Sequence, residues 1–222
     1  MNVNFINKII LYFLYLIPLC NSLNYKNKLQ YNNIILDKNN FVEITDIINE
    51  KNTHSIINDL SLLSNKTNNL IIYINSQGGS VIEGEKIINQ INFYKNLNYT
   101  IHCIALNAYS MAFYIFQSCS KRYITDISKL MTHQIILSIP KMQLENLINY
   151  LYVIKKIDDN LVNMVIEKID MNKDEYIKKR QNDWWIYGDD IIKYKLADEI
   201  IYINLNITMP VFTNDIYSIK YF

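Results

Sequence analysis

Apolar residues along positions 41–222 occur in short runs and in helical stripes, and their order predicts strands alternating with helices. Leu70–Ile74 is a short apolar run that ends in a polar turn, as expected of a buried strand. Ser80 and Glu83 form a capping box that starts a helix. The apolar stripe of this helix consists of Ile87, Ile88 and Ile91.

The same order continues in the middle of the chain. Tyr99–Leu106 is predicted to be a second strand, and Ala108–Cys119 an apolar helix. Two short strands, Tyr123–Thr125 and Leu130–Thr132, are predicted directly before His133.

Apolar residues then recur at helical spacing from Gln143 to Ile169 and predict a helix of about 25 residues. A second apolar face, with Ile148, Tyr152 and Ile166, indicates that part of this helix projects or is buried by a partner. Three elements follow: a charged helix over 173–182, a helix over Gly188–Tyr194 and a strand over Glu199–Ile203. Strands alternating with helices indicate one α/β domain with a mainly parallel sheet.

The N-terminal segment has a different composition. Lys8 precedes the apolar run Ile9–Ile17, which is too short to span a bilayer and is typical of a signal peptide over residues 1–22. Residues 23–40 are rich in Asn and Lys, as in a transit-like or disordered segment. The pair predicts import into a plastid of the apicoplast type without a stable membrane anchor. Secretion and mitochondrial import are the alternatives.

Net charge and cysteine content bear on nucleic-acid binding, metal binding and disulfide formation. The net charge is +1 and the lysines are scattered, which disfavours a nucleic-acid partner. The three cysteines, Cys20, Cys103 and Cys119, lack metal-ligand spacing. Because Cys103 and Cys119 lie in apolar runs, buried free thiols are favoured over a disulfide.

Two of the four glycines, Gly78 and Gly79, lie side by side between a predicted strand and a helix. Such a turn lets the backbone approach a ligand and leaves N–H groups for a negative oxygen, although a simple tight turn fits as well. Neither a Walker A nor a GxGxxG motif is present, so this is not a phosphate loop.

Ser110 follows a predicted strand and begins an apolar helix, where the helix dipole favours developing negative charge. If Ser110 attacked a carbonyl carbon, the N–H of Met111 would face the oxyanion that forms. The motif GxSxG is missing, which disfavours an α/β-hydrolase. Taken singly, Ser110 also fits a helix N-cap, His133 an ordinary strand-end histidine, and Asp183 the N-cap of a turn.

Taken together, these segments resemble the Clp protease proteolytic subunit (ClpP) family, and the resemblance covers roughly residues 41–204. The matching segments are Ile74–Ser80, Ala108–Met111, Lys121–Gln134, Asn182–Trp185 and Ala197–Ile200. The resemblance implies a serine endopeptidase in which Ser110 is the nucleophile, His133 the general base and Asp183 the residue that orients His133. It also implies an oxyanion hole formed by the backbone N–H groups of Gly79 and Met111.

The same resemblance implies a crotonase-like spiral of βαβ units with a projecting handle helix. The subunits would form heptameric rings, stacked in pairs as a homo- or hetero-oligomer, and an AAA+ Clp ATPase would feed unfolded proteins into the chamber. No metal or organic cofactor is implied.

Some positions depart from the family pattern. Gln77 stands where the family has proline, Ala112 replaces a glycine, Phe113 is bulkier than usual, and Ile135–Pro140 lacks the glycines of the substrate-lining strand. These departures keep open a second function, a non-catalytic subunit of a mixed ring. A crotonase-type acyl-CoA enzyme, which needs no Ser/His pair, is a third class.

Overall fold

The computed structural model describes residues 33–37 and 39–205 of the 222-residue chain. The strands are β1 (Asn33–Leu36), β2 (Phe41–Ile44), β3 (Asn69–Ser76), β4 (Thr100–Tyr109), β5 (Lys121–Thr132), β6 (Trp184–Tyr187), β7 (Glu199–Ile200) and β8 (Tyr202–Leu205). The helices are α1 (Glu50–Ser64), α2 (Val81–Asn96), α3 (Met111–Ser118), α4 (Leu144–Ile166), α5 (Lys173–Lys179) and α6 (Asp189–Lys193).

The main sheet has the strand order β2-β3-β4-β5-β6, and β7 also pairs with β5. Strands β2 to β5 run parallel, whereas β6 is antiparallel to β5. The predicted α/β fold with a mainly parallel sheet is therefore confirmed. Because the parallel strands are joined through helices, their carboxyl ends meet at one edge of the sheet.

Both faces of the sheet are covered. In β4, Cys103 and Ala105 point into the large core between the sheet and the helices, and Ile104 points into a small core on the other face. This small core is closed by Leu36 of β1 and by Ile201, which directly precedes β8, the parallel partner of β1. Burial on both faces explains why the central strands are continuous apolar runs rather than alternating ones.

The predicted capping box forms in one direction only. The Glu83 N–H donates to Ser80 Oγ over 3.4 Å, and α2 begins at the next residue, Val81. The Glu83 carboxylate bonds Lys86 (2.6 Å) instead of reaching back, because the Ser80 N–H already donates to the Ile48 carbonyl (2.8 Å). The predicted stripe of α2 is buried in the large core.

Several elements differ from the sequence prediction. Strand β4 continues to Tyr109, so the apolar helix begins at Met111 and not at Ala108; both Ala108 and Tyr109 pair with β5. The two short strands before His133 are one strand, β5, whose irregular middle is held by Ser128 Oγ bonding the Ala105 carbonyl (2.6 Å). The predicted last strand is split between β7 and β8, which pair with β5 and β1.

Helix α1 is not among the elements that the sequence predicts. Its buried positions Thr53, Ile56, Leu60 and Leu63 follow helical spacing. Asn49 caps its start, since the Asn52 N–H donates to the Asn49 side chain (3.0 Å). The helical spacing is present in the sequence, but the many polar residues between these positions make it hard to recognise.

The N-terminal predictions meet the structure only in part. Strand β1 lies within the segment 23–40, and it pairs in parallel with β8. The signal-peptide-like leader over residues 1–22 lies outside the described residues. None of the helices in the described part of the chain is both long and apolar enough to cross a bilayer.

The preference for free thiols is wrong. The structure joins Cys103 and Cys119 by a disulfide across 16 residues, with Cα atoms 5.9 Å apart. Cys103 lies in β4 and Cys119 directly follows α3, which packs back onto β4. Sequence spacing alone does not reveal this return.

The disulfide gives a stability prediction. Reducing it should lower the free energy of unfolding by about 3 kcal/mol, because a closed loop of this length restricts the unfolded chain. Urea unfolding with and without reductant measures this difference. The double variant Cys103→Ala/Cys119→Ala is the control, and its stability should not respond to reductant. Equal wild-type stability in both conditions would contradict the pairing.

Candidate active site

Ser110 occupies a strained turn between β4 and α3. Its φ is +52° and its ψ is −121°, a conformation that costs a non-glycine residue about 1–3 kcal/mol. The turn is held because the Ser110 N–H donates to the Met131 carbonyl (2.9 Å) and the Phe113 N–H donates to the Ser110 carbonyl (3.1 Å). Although Ser110 is at the N-cap position, its side chain makes no capping bond. The hydroxyl is thus free for another partner.

That partner is His133. The Ser110 Oγ lies 2.8 Å from the His133 Nε2. The proximity follows from the sheet, since Tyr109 pairs with Met131 on the parallel neighbour strand, and both reactive side chains lie just beyond this pair. If the hydroxyl donates, Nε2 must be the unprotonated ring nitrogen, which is the arrangement for general-base catalysis.

Asp183 is close in the topology but is not engaged. It directly precedes β6, whose first residue Trp184 pairs with Thr132, so the register brings Asp183 to the level of His133. Its side chain is exposed, and within residues 33–37 and 39–205 no hydrogen bond joins it to the imidazole. The structure brings together two of the three predicted side chains.

The glycine loop packs directly on the nucleophile turn. Gly78 has φ +90°, and a Cβ there would lie 2.5 Å from the Tyr109 carbonyl oxygen and 2.8 Å from the Met111 nitrogen. The loop is fixed because the Ile48 N–H donates to the Gly78 carbonyl (2.8 Å). The Gly78 N–H donates to Ser76 Oγ (3.1 Å). Only glycine fits this approach.

The two predicted oxyanion donors remain available. Among the described residues, the N–H groups of Gly79 and Met111 have no main-chain acceptor outside the regular elements. Met111 is the first residue of α3, and its side chain packs against Gly84 of α2, which fixes this end of the helix. Unpaired amides at a helix N-terminus favour a negative oxygen.

A cavity of about 280 Å³ opens at this site. Its walls include Gly79, Ser110, Met111, His133, Ile136 and Leu161. The volume is near the lower end of the range of roughly 300–1,000 Å³ for small-ligand pockets. Two other cavities, of about 450 and 230 Å³, lie over β2 and α1 and contain none of the predicted site residues.

The segment after His133 differs from a regular substrate-lining strand. Residues 133–143 form neither helix nor strand, and the Ile136 side chain is 81% exposed. The two departures in α3, by contrast, are accommodated by the packing, since Ala112 and Phe113 are fully buried in the large core.

A group of buried hydroxyls, absent from the sequence predictions, lies behind the site. Thr132 Oγ1 lies 3.2 Å from the Tyr114 hydroxyl and 3.1 Å from the Tyr176 hydroxyl. Burial raises the pKa of Tyr176 well above its usual value, so this phenol stays neutral. Arg180 also reaches this group (3.0 Å to Tyr114). No three His, Cys, Asp or Glu side chains in the described ranges are grouped as metal ligands.

Gly78 provides a test of the site geometry. Gly78→Ala should slow the reaction of Ser110 with a fluorophosphonate by about 10²-fold or more, because the new Cβ displaces the nucleophile turn and an oxyanion donor. Gly188→Ala is the matched control, since Gly188 also has a positive φ (+60°) but no atom within 4 Å of its Cβ position. Equal labelling rates for the two variants would contradict the packing argument.

The chain is also similar to a known protein family. A family model described as Clp protease matches residues 26–204, which is most of the 222-residue chain. The matched range spans the part of the chain from the glycine loop to Asp183. This chain belongs to the Clp protease family.

Proposed function

We propose that this chain is an active serine endopeptidase that hydrolyses unfolded polypeptides inside a ring chamber. The observation that carries the proposal is the 2.8 Å contact between Ser110 Oγ and His133 Nε2 at a strained turn beside the glycine loop. Membership of the Clp protease family supports peptide-bond hydrolysis. A structural subunit would have no need to hold a serine in an unfavourable backbone conformation.

In the proposed mechanism, Ser110 Oγ attacks the peptide carbonyl carbon while His133 Nε2 accepts the hydroxyl proton. The carbonyl oxygen becomes negative and receives hydrogen bonds from the Gly79 and Met111 N–H groups, each of which is typically worth about 3–4 kcal/mol of barrier. His133 then gives its proton to the leaving amine. Water, activated by His133, hydrolyses the acyl-enzyme and releases Ser110.

Asp183 has the third role in this proposal. Its exposed carboxylate makes no hydrogen bond with another described residue. We propose that a side-chain rotation aims this carboxylate at the imidazole Nδ1–H. The carboxylate would then fix the tautomer in which Nε2 is the acceptor. We expect the rotation to accompany assembly or substrate binding.

The proposed assembly is a pair of stacked heptameric rings that receive substrates from an AAA+ Clp ATPase. Proteins of this family generally form ring oligomers with Clp ATPases. The exposed apolar residues of α4 support burial against another subunit, as expected of a handle helix. These residues are Leu144, Ile148, Leu151, Tyr152 and Val153, with 40–69% exposure.

A second candidate is a non-catalytic subunit of a mixed ring. The unengaged Asp183 favours it, as does the lack of a strand over residues 133–143. In a mixed ring of this kind, an active paralogue would perform the hydrolysis.

Labelling of assembled particles separates the two candidates. The active-peptidase proposal predicts fluorophosphonate attachment at Ser110, located by peptide mass spectrometry. Ser110→Ala should abolish labelling and lower cleavage of a short fluorogenic peptide by at least about 10³-fold, because the nucleophile is lost. Ser61→Ala, at an exposed serine of α1, is the control and should retain wild-type rates.

The non-catalytic candidate predicts a different result for particles that contain the Ser110→Ala chain. If native particles cleave peptide equally well with wild-type and Ser110→Ala chains, and Ser110 stays unlabelled, the chain is non-catalytic. Cleavage that falls in proportion to the Ser110→Ala content supports the active subunit.

A further inference from the structure

Arginine is rare in this protein and is found only in the core. The sequence has 22 basic residues, of which two, Arg122 and Arg180, are arginines. Their exposed fractions are 5% and 2%. A lysine supplies positive charge at the end of a flexible chain. The planar guanidinium of arginine, by contrast, donates several hydrogen bonds in fixed directions at once. Both positions therefore indicate a requirement for the fixed donor geometry of the guanidinium.

The Arg180 guanidinium forms hydrogen bonds with two other helices. It is the C-cap residue of α5, and its Nη1 donates to the Tyr114 hydroxyl of α3 over 3.0 Å. Its Nη2 donates to the Asp158 carboxylate of α4 over 2.5 Å. Although burial alone would lower the pKa of Arg180, the hydrogen bond and charge of Asp158 raise it overall, so the guanidinium stays charged.

The other contacts of Arg180 reach the proposed catalytic segments. Tyr114 lies one helical turn after Ser110 and lines the same cavity. The Arg180 carbonyl accepts from the Gln134 N–H over 3.2 Å, and Gln134 directly follows His133. Thr132, directly before His133, bonds the same Tyr114 hydroxyl (3.2 Å). Thus the histidine is flanked on both sides by bonds to this group.

The arrangement is not the one expected from stability alone. Arg180 Nε and Asp158 Oδ1 are buried and lack hydrogen-bond partners within the described residues. An incompletely satisfied buried ion pair is commonly no more stable than apolar residues of similar volume. Its geometry instead fixes where α3, α4 and the segment directly after β5 lie relative to one another.

We infer that Arg180 is a positioning residue of the proposed active site. Its guanidinium orients Tyr114, which lies in the Ser110 helix and contacts Thr132 directly before His133. The Gln134 N–H donates to the main-chain carbonyl of Arg180, and the substitutions below leave this bond in place. The inference rests on the proposed peptidase function and adds a residue to it. Through Asp158, the same guanidinium ties α4, the helix with the exposed apolar face, to the site.

Arg180→Lys in assembled particles tests the inference. A lysine keeps the charge but cannot reach Tyr114 and Asp158 with fixed geometry. We expect kcat for a short fluorogenic peptide to fall about tenfold with KM within about twofold, because orientation is lost and binding is not. Tyr114→Phe, which removes only the hydroxyl, should lower kcat in the same direction by about threefold.

Arg122→Lys is the matched control. Arg122 is also buried and ion-paired, with Asp198 (2.6 Å), but it lies at the opposite end of β5 from His133. We expect this variant to lose thermal stability without a selective loss of kcat.

A readout without catalysis keeps the inference separate from the proposed function. Diethyl pyrocarbonate acylates unprotonated imidazole nitrogens, and the Ser110 contact shields the His133 Nε2. Arg180→Lys should accelerate modification of His133 about fivefold, measured by mass spectrometry, with exposed His54 as the internal standard. If wild-type particles show no fluorophosphonate labelling or cleavage, the proposed function fails, while this rate still tests the positioning. The inference is overturned if Arg180→Lys and Tyr114→Phe change only thermal stability, as Arg122→Lys does, and leave His133 reactivity at the wild-type rate.

Discussion

The parallel pairing of β4 with β5 is the constraint on which the site depends. Tyr109 and Met131 are the last pair of this ladder, and the Ser110 N–H donates to the Met131 carbonyl (2.9 Å) immediately beyond it. The chain therefore turns into α3 at a point fixed by β5, and the turn carries the serine hydroxyl to His133. The strain at Ser110 persists because the hydrogen bonds of both strands determine its conformation.

The glycine loop completes the site by close approach. With φ +90° and no Cβ, Gly78 lets the loop after β3 touch the backbone of residues 109–111. Three successive parallel strands thus contribute an amide donor, a nucleophile and a base at one edge of the sheet. This is the edge at which α/β sheets generally bind ligands.

Much of this arrangement could be predicted from local sequence. The apolar runs at Leu70–Ile74 and in α2 gave correct elements because burial on both sheet faces and helical amphipathicity leave clear patterns. The pairing of Cys103 with Cys119 and the role of Arg180 could not be predicted in this way. Both depend on how elements return to one another, and the sequence around Arg180 resembles a solvated charged helix end.

The central claim concerns Ser110, His133 and the two amides acting on one oxyanion. The most direct measurement is an experimental structure of the assembled particle after reaction with a fluorophosphonate. The account predicts a covalent bond from Ser110 Oγ to phosphorus, with the phosphonyl oxygen between the N–H groups of Gly79 and Met111 and the Asp183 carboxylate beside the imidazole. An unmodified Ser110 whose hydroxyl lies beyond hydrogen-bonding reach of His133 would contradict the account.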